Sequence, residues 1–307
     1  MTTVGDMLYQ MGGVPVGGEF TTGSVFFVDS NTGSNSNDGK SPDTAFATLD
    51  YAIGQCTASK GDIIYLMPGH AETTTAIAVD VAGVSIKGLG RGSARPTITA
   101  TTGASDLIDI TAAGTYMENV LLVGAASGCT ALIDIASADN TFFKVEFRHG
   151  AAPTDAVTVT TGVRNKWHDC TWNGTADGPD NGIEFQGAAE NIAKDFEVIG
   201  CKFNYGLYGL DEAAIGAPAT ACGSVEGGII KDNVFSGMVL TAVDFNSSSA
   251  AAVRGIITGC AGTAYLGLAI ATIYDLGSYG SVKNDAVDDF TKGSGLLYGQ
   301  FPAGTCS

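Results

Sequence analysis

Acidic side chains at a fixed spacing are the residues best placed to do chemistry. Asp109 lies in Leu107-Ile-Asp-Ile110, and Asp134 lies in Leu132-Ile-Asp-Ile135, the same tetrapeptide repeated further along. Glu184 holds the same place in Ile183-Glu-Phe185, and Asp244 continues the series. Carboxylates stacked roughly 5–10 Å apart repel unless water screens them or a cation bridges them. Asp109 and Asp134 are therefore candidate calcium ligands. The plainer reading is a solvated outer face, because each Asp alternates with an apolar neighbour. Other reactive groups are scattered. His70, His149 and His168 stand alone, without a paired Ser or Cys or a metal-ligand spacing, and read as surface or turn residues. The seven cysteines (Cys56, Cys129, Cys170, Cys201, Cys222, Cys260 and Cys306) are odd in number and form no CxxC. Neither a disulfide framework nor a zinc site follows.

An internal repeat positions these residues. Leu107-Ile-Asp-Ile110 recurs at Leu132, then at an equal interval as Val157-Thr-Val159, then at Ile183. A second series ends on Leu122, Phe147, Trp172, Phe203, Phe235 and Cys260, spaced 25, 25, 31, 32 and 25 apart. Two residues earlier stand Val120, Val145, Cys170, Cys201, Asn233 and Thr258. Short period-two segments repeating at such an interval are the rungs of a β-solenoid, in which each strand pairs with those about 4.8 Å above and below. The aromatic series predicts one interior stack, and the cysteines beside it read as small buried residues. Asn233 in that setting needs internal hydrogen bonds. The longer spacings are loop insertions.

Composition agrees. Of 307 residues, 43 are Gly, which suits many tight turns and opposes long helices. The net charge of −17 leaves no basic stripe for nucleic acid and repels anionic polysaccharide unless cations intervene. No apolar run reaches a membrane span, and the Met1-Thr-Thr-Val start lacks a signal-peptide pattern, so synthesis in a reducing cytosol is expected. Residues 1–23 carry no strand or helix period, yet Met7, Leu8, Tyr9, Met11, Val14, Pro15 and Val16 are too apolar for a free tail. They are read as an extended docking arm. The solenoid is expected over 24–277, with a capping helix over 46–56 from the spacing of Phe46, Leu49, Ala52, Ile53 and Cys56. An extended tail over 278–307 is anchored by Leu296, Leu297, Tyr298 and Phe301.

One stretch carries a family resemblance. Phe27-Val-Asp, Asn37-Asp-Gly-Lys-Ser-Pro42, Ala45-Phe-Ala-Thr-Leu49 and Gly61-Asp-Ile-Ile-Tyr-Leu-Met-Pro-Gly69 resemble the start of pectate-lyase-like parallel β-helix proteins, a group that includes polysaccharide lyases, surface proteins and bacteriophage virion proteins. The resemblance covers about the first quarter of the chain. It implies an all-β, single-stranded right-handed parallel β-helix with three strands per turn. It also implies, for a lyase, a Lys or Arg base beside calcium-holding carboxylates on one sheet face. Lys87, Lys144, Arg164 and Lys166 fall off the acidic column, and Arg148 belongs to a different strand.

The leading expectation is therefore a bacteriophage virion structural protein, not an enzyme. It would be a decoration protein or spike, assembled in the host cytoplasm and fixed by its arm to major capsid or tail proteins, as a homo-oligomer of trimeric type. A polysaccharide lyase or tailspike-type depolymerase is the alternative. A non-catalytic adhesin for host surface glycans is the third, and exposed Tyr205, Tyr208 and Trp167 along a groove would favour it.

Overall fold

The computed structural model describes residues 21–101, 106–124, 128–149, 155–174, 181–186, 193–205, 213–216, 225–236, 241–245, 253–258, 261–262, 264–268, 271–275 and 282–284. The arm residues Met7 to Val16, Tyr208, Cys260 and the anchors Leu296 to Phe301 lie outside them. Each rung of the chain gives one strand to each of three all-parallel sheets. Sheet A contains Val25–Val28, Ile63–Leu66, Ser85–Gly88, Tyr116–Glu118, Thr141–Phe143, Lys166–His168, Glu197–Ile199, Val225–Lys231, Val253–Thr258 and Ala271–Asp275, with the short strand Ala193–Lys194 also pairing there. Sheet B contains Ala71–Thr74, Thr97–Ala100, Leu121–Gly124, Glu146–His149, Thr171–Gly174, Lys202–Asn204, Val234–Ser236 and Ala261–Gly262. Sheet C contains Ile77–Val79, Asp106–Ile110, Ala131–Ala136, Asp155–Thr161, Asn181–Phe185, Ala213–Gly216, Thr241–Phe245, Ala264–Leu268 and Val282–Asn284. The last of these lies beyond the expected boundary at 277 and still pairs in register.

Inward side chains form columns, as the repeat requires. On sheet B, Ile98, Leu122, Phe147, Trp172, Phe203 and Phe235 are consecutive partners and all buried. Phe147–Trp172, Trp172–Phe203 and Phe203–Phe235 stack at 4.6, 4.3 and 5.2 Å between centroids. Offset stacking of this kind adds about 0.5–1.5 kcal/mol per pair beyond burial. A second column on sheet A, Met117–Phe142–Trp167–Val198–Ile230, is equally buried.

Three register expectations need correction. Val157 pairs with Ile133, not Leu132, so that step is shorter than the repeat, and a bulge between Ile135 and Ala136 restores the count. Phe235 faces Gly262, not Cys260, and Thr258 pairs with Lys231. A change in the length of the final turn moves both series there.

Tight corners explain why the columns stay aligned. Between sheets A and B the chain turns through Asn119, Lys144, Asp169, Gly200 and Asp232 on successive rungs, all at positive φ near 53–68°. A non-glycine residue pays about 1–2 kcal/mol there, least for Asn and Asp, in exchange for a corner that needs no loop. The next residue, Val120, Val145, Cys170, Cys201 or Asn233, then points inside. Asn233 meets its need: Oδ1 accepts from Cys201 N at 2.8 Å, and Nδ2 donates to the Val198 carbonyl at 2.9 Å. Between sheets C and A, Thr115, Asn140 and Asn165 form a buried ladder. There Thr115 N donates to Asn140 Oδ1 at 3.0 Å, and Asn140 N to Asn165 Oδ1 at 3.1 Å.

The helix is shorter than the spacing predicts. It runs Leu49–Gly54, with Leu49, Ala52 and Ile53 fully buried over the first rungs. Phe46 is outside it, in a parallel bridge with Val28. The cap is supplied from below. Glu72 sits at the head of sheet B's inward column, opposite Ile98, and its Oε2 accepts from Leu49 N at 2.9 Å. Beside it His70 Nε2 lies 3.3 Å from the same oxygen, while His70 Nδ1 accepts from Ser30 N at 3.0 Å. No helix among the described residues is long and apolar enough to cross a membrane.

Candidate functional site

The acidic series is a true column on the outer side of sheet C. Asp109 pairs with Asp134, Asp134 with Thr158, and Thr158 with Glu184, and the backbone register continues to Gly216 and Asp244. Solvation falls along it. Asp109 is exposed and Asp134 half-buried, but Thr158 and Glu184 retain 7% and 8% exposure. The solvated-face reading thus describes Asp109 and fails at Glu184, whose carboxylate accepts from Gln186 Nε2 at 2.6 Å. Desolvation, then the charges of Asp106 and Asp109, push Asp134 up to about 6. Desolvation and Asp106 raise Asp109 as well. For calcium, Asp109 and Asp134 provide two oxygen donors in register. Among the described residues no group of three or more His, Cys, Asp or Glu is arranged to hold a metal ion. The residues present supply part of an oxygen shell and not a closed one.

Bases gather on the other two faces. On sheet A, Glu197 bridges Lys166 Nζ at 2.7 Å and His168 Nε2 at 2.9 Å. Burial works against that carboxylate, but the two hydrogen bonds and their charges outweigh it and hold its pKa below the usual value. Lys87 lies 4.0 Å from Glu118 and over the Tyr116 ring, whose hydroxyl donates to Glu118 Oε2 at 3.2 Å.

On sheet B, Glu146 is held by two arginines: Arg95 Nη1 on Oε2 and Arg148 Nη2 on Oε1, both at 2.8 Å. Asn173 Nδ2 adds a bond to Oε1 at 2.9 Å, and Asn204 Nδ2 donates to Asn173 Oδ1 at 3.2 Å. Burial opposes the Glu146 charge, yet Arg148, Asn173 and Arg95 together keep its pKa low. This group escapes a sequence reading because Arg95 and Asn173 are far apart along the chain and meet through stacked rungs.

Several single residues fall where they were not expected. His70 and His149 are buried, not at the surface, and His168 alone of the three is partly open. His149 Nε2 lies 3.2 Å from the Tyr205 hydroxyl, and burial pushes the imidazole down to about 3, so it is neutral at ordinary pH. Trp167 and Tyr205 have no exposed surface. Tyr205 follows buried Cys201 and Phe203 at period two, and Trp167 lies in the inward column of sheet A between Phe142 and Val198.

Comparison with known proteins adds the fold's handedness. No family model and no curated protein matches the chain. Among solved structures, it is similar to a rhamnogalacturonan lyase at 13% identity and TM-score 0.53, over 90% of both chains. It is also similar to a pectin methylesterase from carrot at 12% identity and TM-score 0.58, over 88% of this chain and 86% of that one. A third is the pectate lyase Pel9A, at 14% identity and TM-score 0.56, over 92% and 83%. The architecture is that of a right-handed parallel β-helix of the pectate-lyase-like type.

Proposed function

We propose that this chain is a structural protein of a bacteriophage virion, a decoration protein or spike in which a rigid β-helical column is fixed to the capsid or tail by residues 1–20. The observation that carries this reading is the root of the arm. Thr21 Oγ1 donates to the Gly61 carbonyl, and Thr22 Oγ1 to the Lys60 carbonyl at 3.4 Å, so the residues that follow the arm are fixed beside the first rungs, where the helix caps the core. Attachment at that end leaves three lateral faces free for neighbours, and a trimer of columns is part of the proposal. Burying the arm's apolar side chains against a partner supplies roughly 1.5–3 kcal/mol each before ordering costs.

Deleting residues 2–20 tests this. The expected product is a soluble β-helix with unchanged circular dichroism that no longer co-sediments with particles. Undiminished co-sedimentation overturns the docking arm, and unfolding reassigns those residues to the cap.

A polysaccharide-acting role is the second reading, favoured by the sheet C column and by the names of the structural neighbours. Two carboxyls with different proton affinities suit acid–base work on a glycosidic bond. Cleavage of a surface glycan that Asp134→Asn abolishes would establish it. The adhesin reading loses Trp167 and Tyr205, which are inside the core, while Tyr208 lies outside the described residues.

A further inference from the structure

Two buried thiols meet inside the column. Thr171 pairs with Lys202 and Trp172 with Phe203, so Cys170 and Cys201, the residues just before them, stand one above the other on consecutive rungs. Lys202 N donates to the Cys170 carbonyl at 2.9 Å, which carries the rung-to-rung ladder through the pair. Each follows a left-handed corner, Asp169 or Gly200, and each side chain points inside with no exposed surface. Rungs about 4.8 Å apart place the two Cα atoms within the span of about 4.4–6.8 Å that a disulfide bridges. Both sulfurs lean toward the preceding rung. Cys170 Sγ lies 3.4 Å from the Phe142 carbonyl and Cys201 Sγ 3.4 Å from the Trp167 carbonyl, so the later sulfur comes back to the rung that holds the earlier one. Each also reaches the carbonyl two residues before it, His168 at 3.4 Å and Ile199 at 3.5 Å. The Cys201 thiol shares a hydrogen bond with the Cys170 sulfur, and burial first, then this bond, push its pKa well above the usual value. Of the other described cysteines, Cys56 follows the capping helix and Cys129 precedes a sheet C strand.

We propose that Cys170 and Cys201 form a disulfide across the two rungs when the chain folds in contact with a low-molecular-weight disulfide such as oxidised glutathione. One cysteine thiolate attacks that disulfide and releases the first glutathione thiolate, and the second cysteine displaces the other. One S–S bond forms in the protein and one breaks in the reagent, and the two cysteine protons end on the two glutathione thiols. The step belongs to folding and not to the finished column. Buried thiols with a raised pKa supply little thiolate and admit no reagent, whereas the unfolded chain exposes them at about 8.5. Stacking then presents the second sulfur to the mixed disulfide. Once closed, the bond is walled off from reductants by the same burial. In a reducing cytosol the pair remains as two thiols, the state in this structure. The bridge joins positions 31 residues apart, where the rungs below repeat at 25, so it fixes the register at the point where an insertion enters the column. It requires neither the arm nor the acidic column.

Peptide mapping tests this, because cleavage after Lys166, Lys194 and Lys202 leaves one cysteine in each of the peptides 167–194 and 195–202. The full chain is produced in a host with a reducing cytosol and in one whose cytosol permits disulfides, then denatured, alkylated and digested. The second host is expected to give mostly the two peptides linked, lighter by two hydrogens than their sum, and the first to give both peptides alkylated. Opening of the link by dithiothreitol should be slower by about tenfold or more in native buffer than in guanidinium. Cys170→Ser should leave Cys201 open to alkylation from either host, and if that variant does not fold, the map of the parent chain decides alone. The proposal is overturned if both cysteines are alkylated in the chain from the second host. It is equally overturned if either is joined to another cysteine or to glutathione, or if native and unfolded chains are reduced at equal rates.

Discussion

Trp172 shows how much a single side chain contributes here. It is fully buried between Phe147 and Phe203, and its Nε1 donates to the Gly182 carbonyl at 3.0 Å. Trp172→Ala should therefore lower unfolding free energy by about 3–5 kcal/mol, read from denaturant midpoints at constant m-value. A loss near zero would mean that the stack is not where the stability lies. Asp134 acts in the opposite direction. Its folded pKa of about 6 exceeds the unfolded value of about 3.9, so the folded state holds the extra proton between these limits. Stability consequently falls as pH rises through that window, and the penalty is complete above it. Because the group is half-exposed, solvent screening reduces the cost to on the order of 1 kcal/mol. Asp134→Asn should raise the melting temperature at about pH 7.5 and flatten the profile between about pH 4 and 6. Parallel profiles for the two proteins would contradict the assignment. A calcium-induced rise in melting temperature that disappears in Asp134→Asn would place a cation on the column.

At the scale of elements, the capping helix owes its start to a side chain that is not its own. Thr48 occupies the N-cap position without a capping bond, and the Leu49 amide is satisfied by buried Glu72. Glu72→Ala leaves that amide without its partner and should cost about 1–3 kcal/mol. Amide exchange at Leu49 and Ala52 should accelerate more than at Trp172 on the distant rungs. Uniform acceleration would mean that the cap and column unfold as one unit. The same element shows what a sequence can reveal. The rungs were legible because Leu122, Phe147, Trp172 and Phe203 recur at near-constant spacing, and a solenoid converts that spacing directly into contact. The cap's ends were not, since Phe46 keeps helical spacing while pairing with Val28 as a strand. Trp167 was misplaced because period-two reasoning carried back from Cys170 breaks at the left-handed corner of Asp169, whereas Tyr205 follows buried Phe203 at period two and belonged inside on that pattern. Asn119, Asp169, Gly200 and Asp232 are types that tolerate that corner, and Lys144 is the exception that hides it in the sequence. The acidic column was visible in one strand repeat, whereas the Arg95–Glu146–Asn173 group needed the register of several rungs.

For the whole molecule, two electrostatic effects compete, and their balance can be measured. The net charge is −17, and its self-repulsion opposes the compact state. Against it stand local pairs such as Arg164–Asp139, Lys166–Glu197 and Arg95–Glu146. An exposed pair such as Arg164–Asp139 contributes about 0–1 kcal/mol, and salt weakens it. The repulsion acts over longer distances and is more sensitive to screening, because the Debye length shrinks from about 30 Å at 0.01 M salt to about 8 Å at 0.15 M. Close pairs at 2.5–2.8 Å sit well inside either length. Screening should therefore remove more repulsion than attraction, and added sodium chloride should stabilise the column. The expected outcome is a melting temperature that rises between about 10 mM and 150 mM salt and then levels off. In R148Q/K202Q, which makes the chain more acidic by two charges, the rise should be steeper. A melting temperature that falls with salt would mean that the cross-rung ion pairs, and not the net charge, dominate the electrostatics of the fold.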